Sequence, residues 1–157
     1  MQLKNLVPFL AAAATPAAAV GKATVVNNCA AEVYLWSVGG DVHNVGALAL
    51  GGASYAEPLT RDPVTGGRAI KVTRVKDGLY SNAPQLVFAY TLDAGTGGNV
   101  WYDLSTVFGD GFSGSKLVVA SQLATCPAIV WGSGVSPGGS QVKACTAEKD
   151  VILTLCA

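Results

Sequence analysis

The chain has 157 residues, half of them hydrophobic and 13% charged, with ten basic and ten acidic side chains. That length suits one domain burying roughly two thirds of its unfolded surface, and so sparse and balanced a charge excludes a disordered tail or a polybasic arm. Nucleic acid is excluded as an expected partner, because phosphate binding draws on clustered Lys and Arg; the one dense group, Lys71, Arg74 and Lys76, reads as the outward face of a strand.

Residues 1–19 carry Lys4, an apolar run from Leu6 to Ala14 broken by Pro8, and then Thr15-Pro16-Ala17-Ala18-Ala19. A basic start, a short apolar core and a small-residue end have the anatomy of a secretory signal. The apolar core is about nine residues, whereas a membrane span needs about 20, so no membrane insertion is expected. The expected division is a signal peptide over 1–19 and a β-sandwich domain over 20–157. Removing the signal leaves nine basic and ten acidic residues, an exported and nearly neutral chain.

Strand signals fill the remainder. Residues 23–28 and 32–38 are short runs rich in Val and aromatics, separated by Cys29-Ala30-Ala31, and they read as a hairpin. Period-two alternation then sets Val33 and Leu35 on one face of the second run, with Tyr34 and Trp36 on the other. Further strands are expected over 47–50, 54–57, 68–75, 85–92, 99–105, 117–121 and 150–156. Turns at Gly51-Gly52, Gly66-Gly67, Asp77-Gly78, Gly97-Gly98, Asp110-Gly111 and Gly138-Gly139 punctuate them. No apolar pattern of helical period survives without an internal Gly or Pro, so helix should be scarce. Many short strands with frequent turns argue for an all-β, antiparallel β-sandwich. Residues 133–140, SGVSPGGS, read as a surface loop.

The four cysteines, Cys29, Cys126, Cys145 and Cys156, show no C-x-x-C spacing, and the only histidine is His43. Export makes two disulfides the expectation and leaves no metal site. Three pairings are formally open. Chain position favours Cys29 with Cys156, one just past the first strand and the other at the end of the last, and Cys126 with Cys145 across a local loop. On the chain-entropy account the short loop contributes about 3 kcal/mol and the long one nearer 5.

Several segments taken in order resemble thaumatin-like proteins. Residues 23–29 (ATVVNNC) are similar to that family's TFTVVNNC, 32–37 (EVYLWS) to YTVWAA, 66–74 (GGRAIKVTR) to GGRIWART, 85–92 to the LAEFTL strand, and 102–112 (YDLSTVFGDGF) to YDVSLVDGF. The terminal Cys156 fits the family's last cysteine, which pairs with its first. Large plant members have many more cysteines and a central domain that has no counterpart in this chain. A closer resemblance, covering nearly the whole chain after the signal, is to the small secreted thaumatin-like antigens of fungi, the Bys1-type yeast-phase proteins. It implies a thaumatin-like antiparallel β-sandwich, secreted to the extracellular space or the cell wall.

Many thaumatin-like proteins have an acidic cleft of one Arg, one Glu and three Asp, and some act on β-1,3-glucan. The resemblance places Asp103 and Asp110 on two of the Asp positions and Arg68 in the segment that supplies the Arg. The Glu position is Ala89. Glycosidic cleavage needs one protonated carboxyl to donate to the leaving oxygen and one ionised carboxylate as nucleophile or base, so the substitution removes the expected donor. Asp110, before Gly111, reads more simply as a turn residue accepting backbone hydrogen bonds. Other templates fail on spacing. There is no G-x-S-x-G elbow to join His43 in a triad. Gly132, Gly134 and Gly138 lack dinucleotide-loop spacing, and no ligand-dense calcium loop joins Asp103 and Asp110. No cofactor is expected.

Trp101 and Tyr102 are adjacent on one predicted strand and must point to opposite faces, so one can be core while the other is exposed near Asp103. The binding candidates are therefore Arg68, Trp101, Tyr102, Asp103 and Asp110. The expected function is that of a secreted, non-catalytic protein that binds cell-wall polysaccharide such as β-glucan, or a host cell-surface protein. The alternatives are a weak β-1,3-glucan hydrolase or glucan-binding protein using Asp103 and Asp110, and a structural wall component.

Overall fold

The computed structural model describes residues 19–93, 95 and 98–157. All of the expected signal segment except Ala19 lies outside the described residues, as does Gly97 of the expected Gly97-Gly98 turn. The described residues form strands β1 (Lys22–Asn27), β2 (Val33–Val38), β3 (Val42–Leu48), β4 (Ala53–Pro58), β5 (Arg68–Thr73), β6 (Gln85–Asp93), β7 (Asn99–Val107), β8 (Leu117–Ser121), β9 (Ile129–Trp131), β10 (Lys143–Thr146) and β11 (Val151–Leu155), with no α-helix among them. One sheet runs β4-β1-β11-β8-β9 and the other β10-β7-β6-β5-β2-β3.

Alternation decides what lies between the sheets. Val33 and Leu35 of β2, Ile70 and Val72 of β5, Leu86, Phe88 and Tyr90 of β6, and Val100, Tyr102 and Leu104 of β7 supply the inner face of the larger sheet. Val25, Leu117, Val119, Trp131, Leu153 and Leu155 answer them from the smaller one. Both disulfides form in the expected pairing. Cys29–Cys156, with Cα atoms 5.1 Å apart, fastens the exits of β1 and β11. Cys126–Cys145, at 5.5 Å, joins the β8–β9 connection of the smaller sheet to β10 at the edge of the larger.

Several local expectations are corrected. β1 and β2 do not form a hairpin, because β1 is taken on one side by β4 and on the other by β11, and Cys29-Ala30-Ala31 carries the chain across to the second sheet. The β1–β11 pair is parallel, the exception in an otherwise antiparallel sandwich. β3 begins at Val42 rather than residue 47, so His43 lies on an exposed edge strand. Strand β5 stops at Thr73, which leaves Arg74 and Lys76 in the turn beyond it, where Arg74 covers the Phe112 ring at 4.6 Å. β9 and β10 were not expected as strands. Trp36 is buried, yet on the face opposite Leu35, outside the inter-sheet core and under the edge of the Tyr80 ring 6.5 Å away.

Candidate functional site

The outer face of the larger sheet holds the site. Because Ile70, Phe88 and Leu104 point inward, their neighbours Ala69, Ala89 and Asp103 point out, and the register sets these three in one row across β5, β6 and β7. Thr91 pairs with Trp101 one row away. The two alanine methyls are too small to fill the space between Val38 on one flank and Trp101, Asp103 and Val142 on the other. The result is a groove of about 500 Å³ with an alanine floor. Its rim, Thr65 to Gly67, is fixed by hydrogen bonds from the Thr65 hydroxyl to the Gly67 carbonyl and from the Thr91 hydroxyl to the Gly66 carbonyl. Gly67 keeps this approach close: a Cβ would stand 3.0 Å from the Tyr90 carbonyl oxygen, which would have to give by a few tenths of an ångström.

The neighbours Trp101 and Tyr102 divide as alternation demands. Trp101 is 47% exposed on the groove wall, while Tyr102 is 1% exposed, its ring in the core and its hydroxyl donating to the Pro127 carbonyl. Burial pushes the Tyr102 hydroxyl pKa up. The Asp103 carboxylate, half-buried, has neither a hydrogen bond nor an ion pair with any described residue.

Arg68 lines the groove beside Ala69, but its guanidinium is directed to the end of the inter-sheet space. Nη1 donates to Asp41 and Asp62 at 3.1 Å each, and Nε and Nη2 donate to Ser37 Oγ at 3.2 and 3.1 Å. Asp62 is buried and also accepts the backbone N–H groups of Thr65, Gly40 and Val64 at 2.9, 3.0 and 2.9 Å. Those donors hold its carboxyl far below the usual carboxylate range. Gly39 is packed so closely on this cluster that a Cβ would collide with the Asp62 carboxylate.

Glu57 is the functional group that sequence reasoning missed. Its carboxylate accepts hydrogen bonds from Ser37 Oγ at 3.0 Å and from the Tyr55 and Tyr90 hydroxyls at 2.7 Å each. Burial, and then the hydrogen bond to Glu57, push both tyrosine pKa values well up, so both remain donors. Ser37, Asp41, His43, Glu57, Arg68 and Tyr90 border a second recess of about 310 Å³. The sequence signal was present: Tyr55 and Glu57 fall on one face of a strand, which sets a carboxylate where an apolar residue would be expected.

Asp110 is elsewhere. Its Oδ1 accepts from Thr106 Oγ1 at 3.2 Å and from the Ser136 N–H at 3.1 Å, tying the turn after β7 to the 133–139 loop. The structure therefore brings the side chains of Trp101 and Asp103 and the base of Arg68 to one groove, borders it with the backbone of Tyr102 whose ring is in the core, and leaves Asp110 out of its lining. Among the described residues no group of three or more His, Cys, Asp or Glu side chains is placed to hold a metal ion.

Two disulfide-stapled sheets with glycine-cornered turns and this outer groove define a small thaumatin-like sandwich. The chain belongs to the Bys1 family, described as Blastomyces yeast-phase-specific protein, whose pattern matches residues 10–157. It is 34% identical over 116 residues to the secreted thaumatin-like protein calA of Emericella nidulans, covering 74% of this chain and 60% of that protein. An antigenic thaumatin-like protein of Arthroderma benhamiae is 29% identical over 147 residues, covering 88% and 72%. The chain thus spans less than two thirds of the length of calA. The crystal structure of the protein elicitor MoHrip2 from Magnaporthe oryzae shares the fold, with a TM-score of 0.69 at 24% identity over 87% of this chain and 99% of that one. The chain is a secreted, extracellular protein of this fungal group.

Proposed function

We propose that the protein is a non-catalytic recognition module that binds polysaccharide of the fungal cell wall through the outer groove. The observation that carries this reading is the exposed Trp101 indole beside the unpartnered Asp103 carboxylate, over a floor of alanine methyls. An indole face takes the C–H face of a sugar ring, and a free carboxylate accepts hydrogen bonds from its hydroxyls. The rim bonds and the surrounding sheet keep the groove preformed, so little ordering opposes binding. Cleavage would need a second carboxyl in the same groove. Ala89 stands where the thaumatin-like resemblance implies a Glu, and Asp110 is engaged by Thr106 and Ser136.

The test is co-sedimentation with insoluble β-1,3-glucan and with chitin, alongside capture on host-cell membrane proteins, for the native protein and Trp101→Ala. The reading expects retention on one of the polysaccharides, loss of retention in Trp101→Ala, and no release of reducing ends. Capture on host membranes alone would move recognition to the host surface. Reducing ends lost in Asp103→Asn would establish a hydrolase.

A further inference from the structure

Resting on the reading that the groove binds a wall polysaccharide, we propose that the saccharide it selects carries free amines: β-1,4-linked glucosamine, the de-N-acetylated form of chitin. The charge distribution around Asp103 supplies the argument. Among the side chains that line the groove, Asp103 and Arg68 are charged, and the Arg68 guanidinium is consumed by Asp41, Asp62 and Ser37. Lys71 lies on the same face of the sheet but turns its ammonium to Gln85 Oε1 at 3.2 Å. Lys143 of β10 pairs in register with Tyr102, which sets it on the inward side of the strand. Arg61 approaches the opposite rim at Gly66. Among the described residues, the half-buried Asp103 carboxylate thus has no cation paired with it.

A neutral hydroxyl or amide N–H on the ligand can donate to this carboxylate but leaves its charge unanswered as water leaves. A ligand ammonium donates the same bond and also neutralises the charge. N-acetylation abolishes that ion pair, because the amide keeps an N–H donor but carries no charge. Trp101 and Asp103 are two residues apart on β7, so their side chains rise from the same face about 7 Å apart along the strand. An indole stacked on one ring can therefore sit beside a carboxylate that meets the amine of the same ring or the next.

The experiment is titration calorimetry with tetramers of glucosamine, N-acetylglucosamine and β-1,3-linked glucose, at a mildly acidic pH where the amine is protonated. The native protein should bind the glucosamine tetramer about tenfold more tightly than either neutral one, the added worth of an ion pair at a half-buried, partly screened carboxylate. Added salt should shrink that margin. Asp103→Asn should bind all three with similar affinity, and Trp101→Ala should weaken all three. Because Asp103 holds no other residue, the Asn variant should melt with the native protein. The salt dependence of the native protein serves as the second measurement if it does not. Equal affinity of the native protein for the three tetramers overturns the amine selectivity and leaves polysaccharide binding standing. A preference that survives Asp103→Asn overturns the assignment to this carboxylate. Binding of none of the three overturns both readings.

Discussion

Asp103 stands directly opposite Ala89 across the β6–β7 ladder, on the face of the sheet turned away from the core. A carboxylate thus faces a methyl group, and this pairing gives the groove part of its alanine floor and the one charge in its lining that no other described side chain engages. Ala89→Glu should place two like charges opposite each other and lower stability at neutral pH by about 0.2–1 kcal/mol. The penalty exists only while both carboxylates are ionised, so it should fade as pH falls through their range. Chemical denaturation of the variant and the native protein at neutral and acidic pH measures the difference, and an equal offset at both would show the cost to be steric.

Adjacent residues Trp101 and Tyr102 should respond to substitution in opposite ways. Trp101→Ala removes an exposed ring with little packing behind it and should leave stability within about 0.5 kcal/mol of the native value. Tyr102→Ala empties a fully buried site and should cost about 3–5 kcal/mol. Tyr102→Phe keeps the ring and deletes only the hydrogen bond to the Pro127 carbonyl, for a cost of about 1–3 kcal/mol if that acceptor is left unmet. Denaturant midpoints of the three variants test the order, and a Trp101→Ala loss comparable to Tyr102→Ala would place the indole in the core.

Asp62 makes the fold sensitive to acid. Its folded-state pKa is depressed by backbone donors from Thr65, Gly40 and Val64, whereas the unfolded chain gives it an ordinary carboxylate value. Its contribution is therefore fully present above the unfolded-state pKa, near 4, and is lost as pH falls toward the lower folded value. Asp62→Asn should be less stable at neutral pH, since its –NH₂ replaces one of the two oxygens that now accept from Val64 and Thr65 or from Gly40 and Arg68, and cannot accept those bonds. It should also lose less stability than the native protein between neutral pH and pH about 3. Parallel pH–stability curves for the two proteins would contradict the assignment.

The inner face was readable from sequence because alternation is a local property. Leu86, Phe88 and Tyr90 or Val100, Tyr102 and Leu104 announce a buried side whatever strand lies next to them. The partners were not. A short connection such as residues 28–32 serves equally for a hairpin and for a crossing between sheets, and the choice of crossing rests on β11, more than a hundred residues away. β10 has no fully buried residue, so no hydrophobic pattern marks it. Its position comes from the ladder with β7 and the bond at Cys145. In the site, Trp101 and Asp103 were legible because they share a strand with an unmistakable pattern. Arg68 was legible as a position but not in direction: it falls in line with Ile70 and Val72, so its guanidinium points inward. Glu57 stayed hidden because its partners Ser37 and Tyr90 belong to the other sheet.

The bond between Cys126 and Cys145 should matter more to the groove than to the core. It spans 19 residues of sequence, and on the chain-entropy account its removal costs about 3 kcal/mol, against nearer 5 for Cys29–Cys156. β10 is otherwise held by a four-residue ladder to β7, and Val142, just before it, forms part of the groove wall. Replacing Cys126 and Cys145 together by Ser should therefore leave the β1, β6 and β11 amides as protected as before relative to global unfolding, while the β10 amides exchange much faster. Trp101, whose register partner is Ala144 of β10, should report the loosening as a change in its fluorescence. Hydrogen exchange resolved by peptide reads both regions at once. Uniform acceleration across the two sheets would show that this disulfide holds the whole sandwich together rather than its edge.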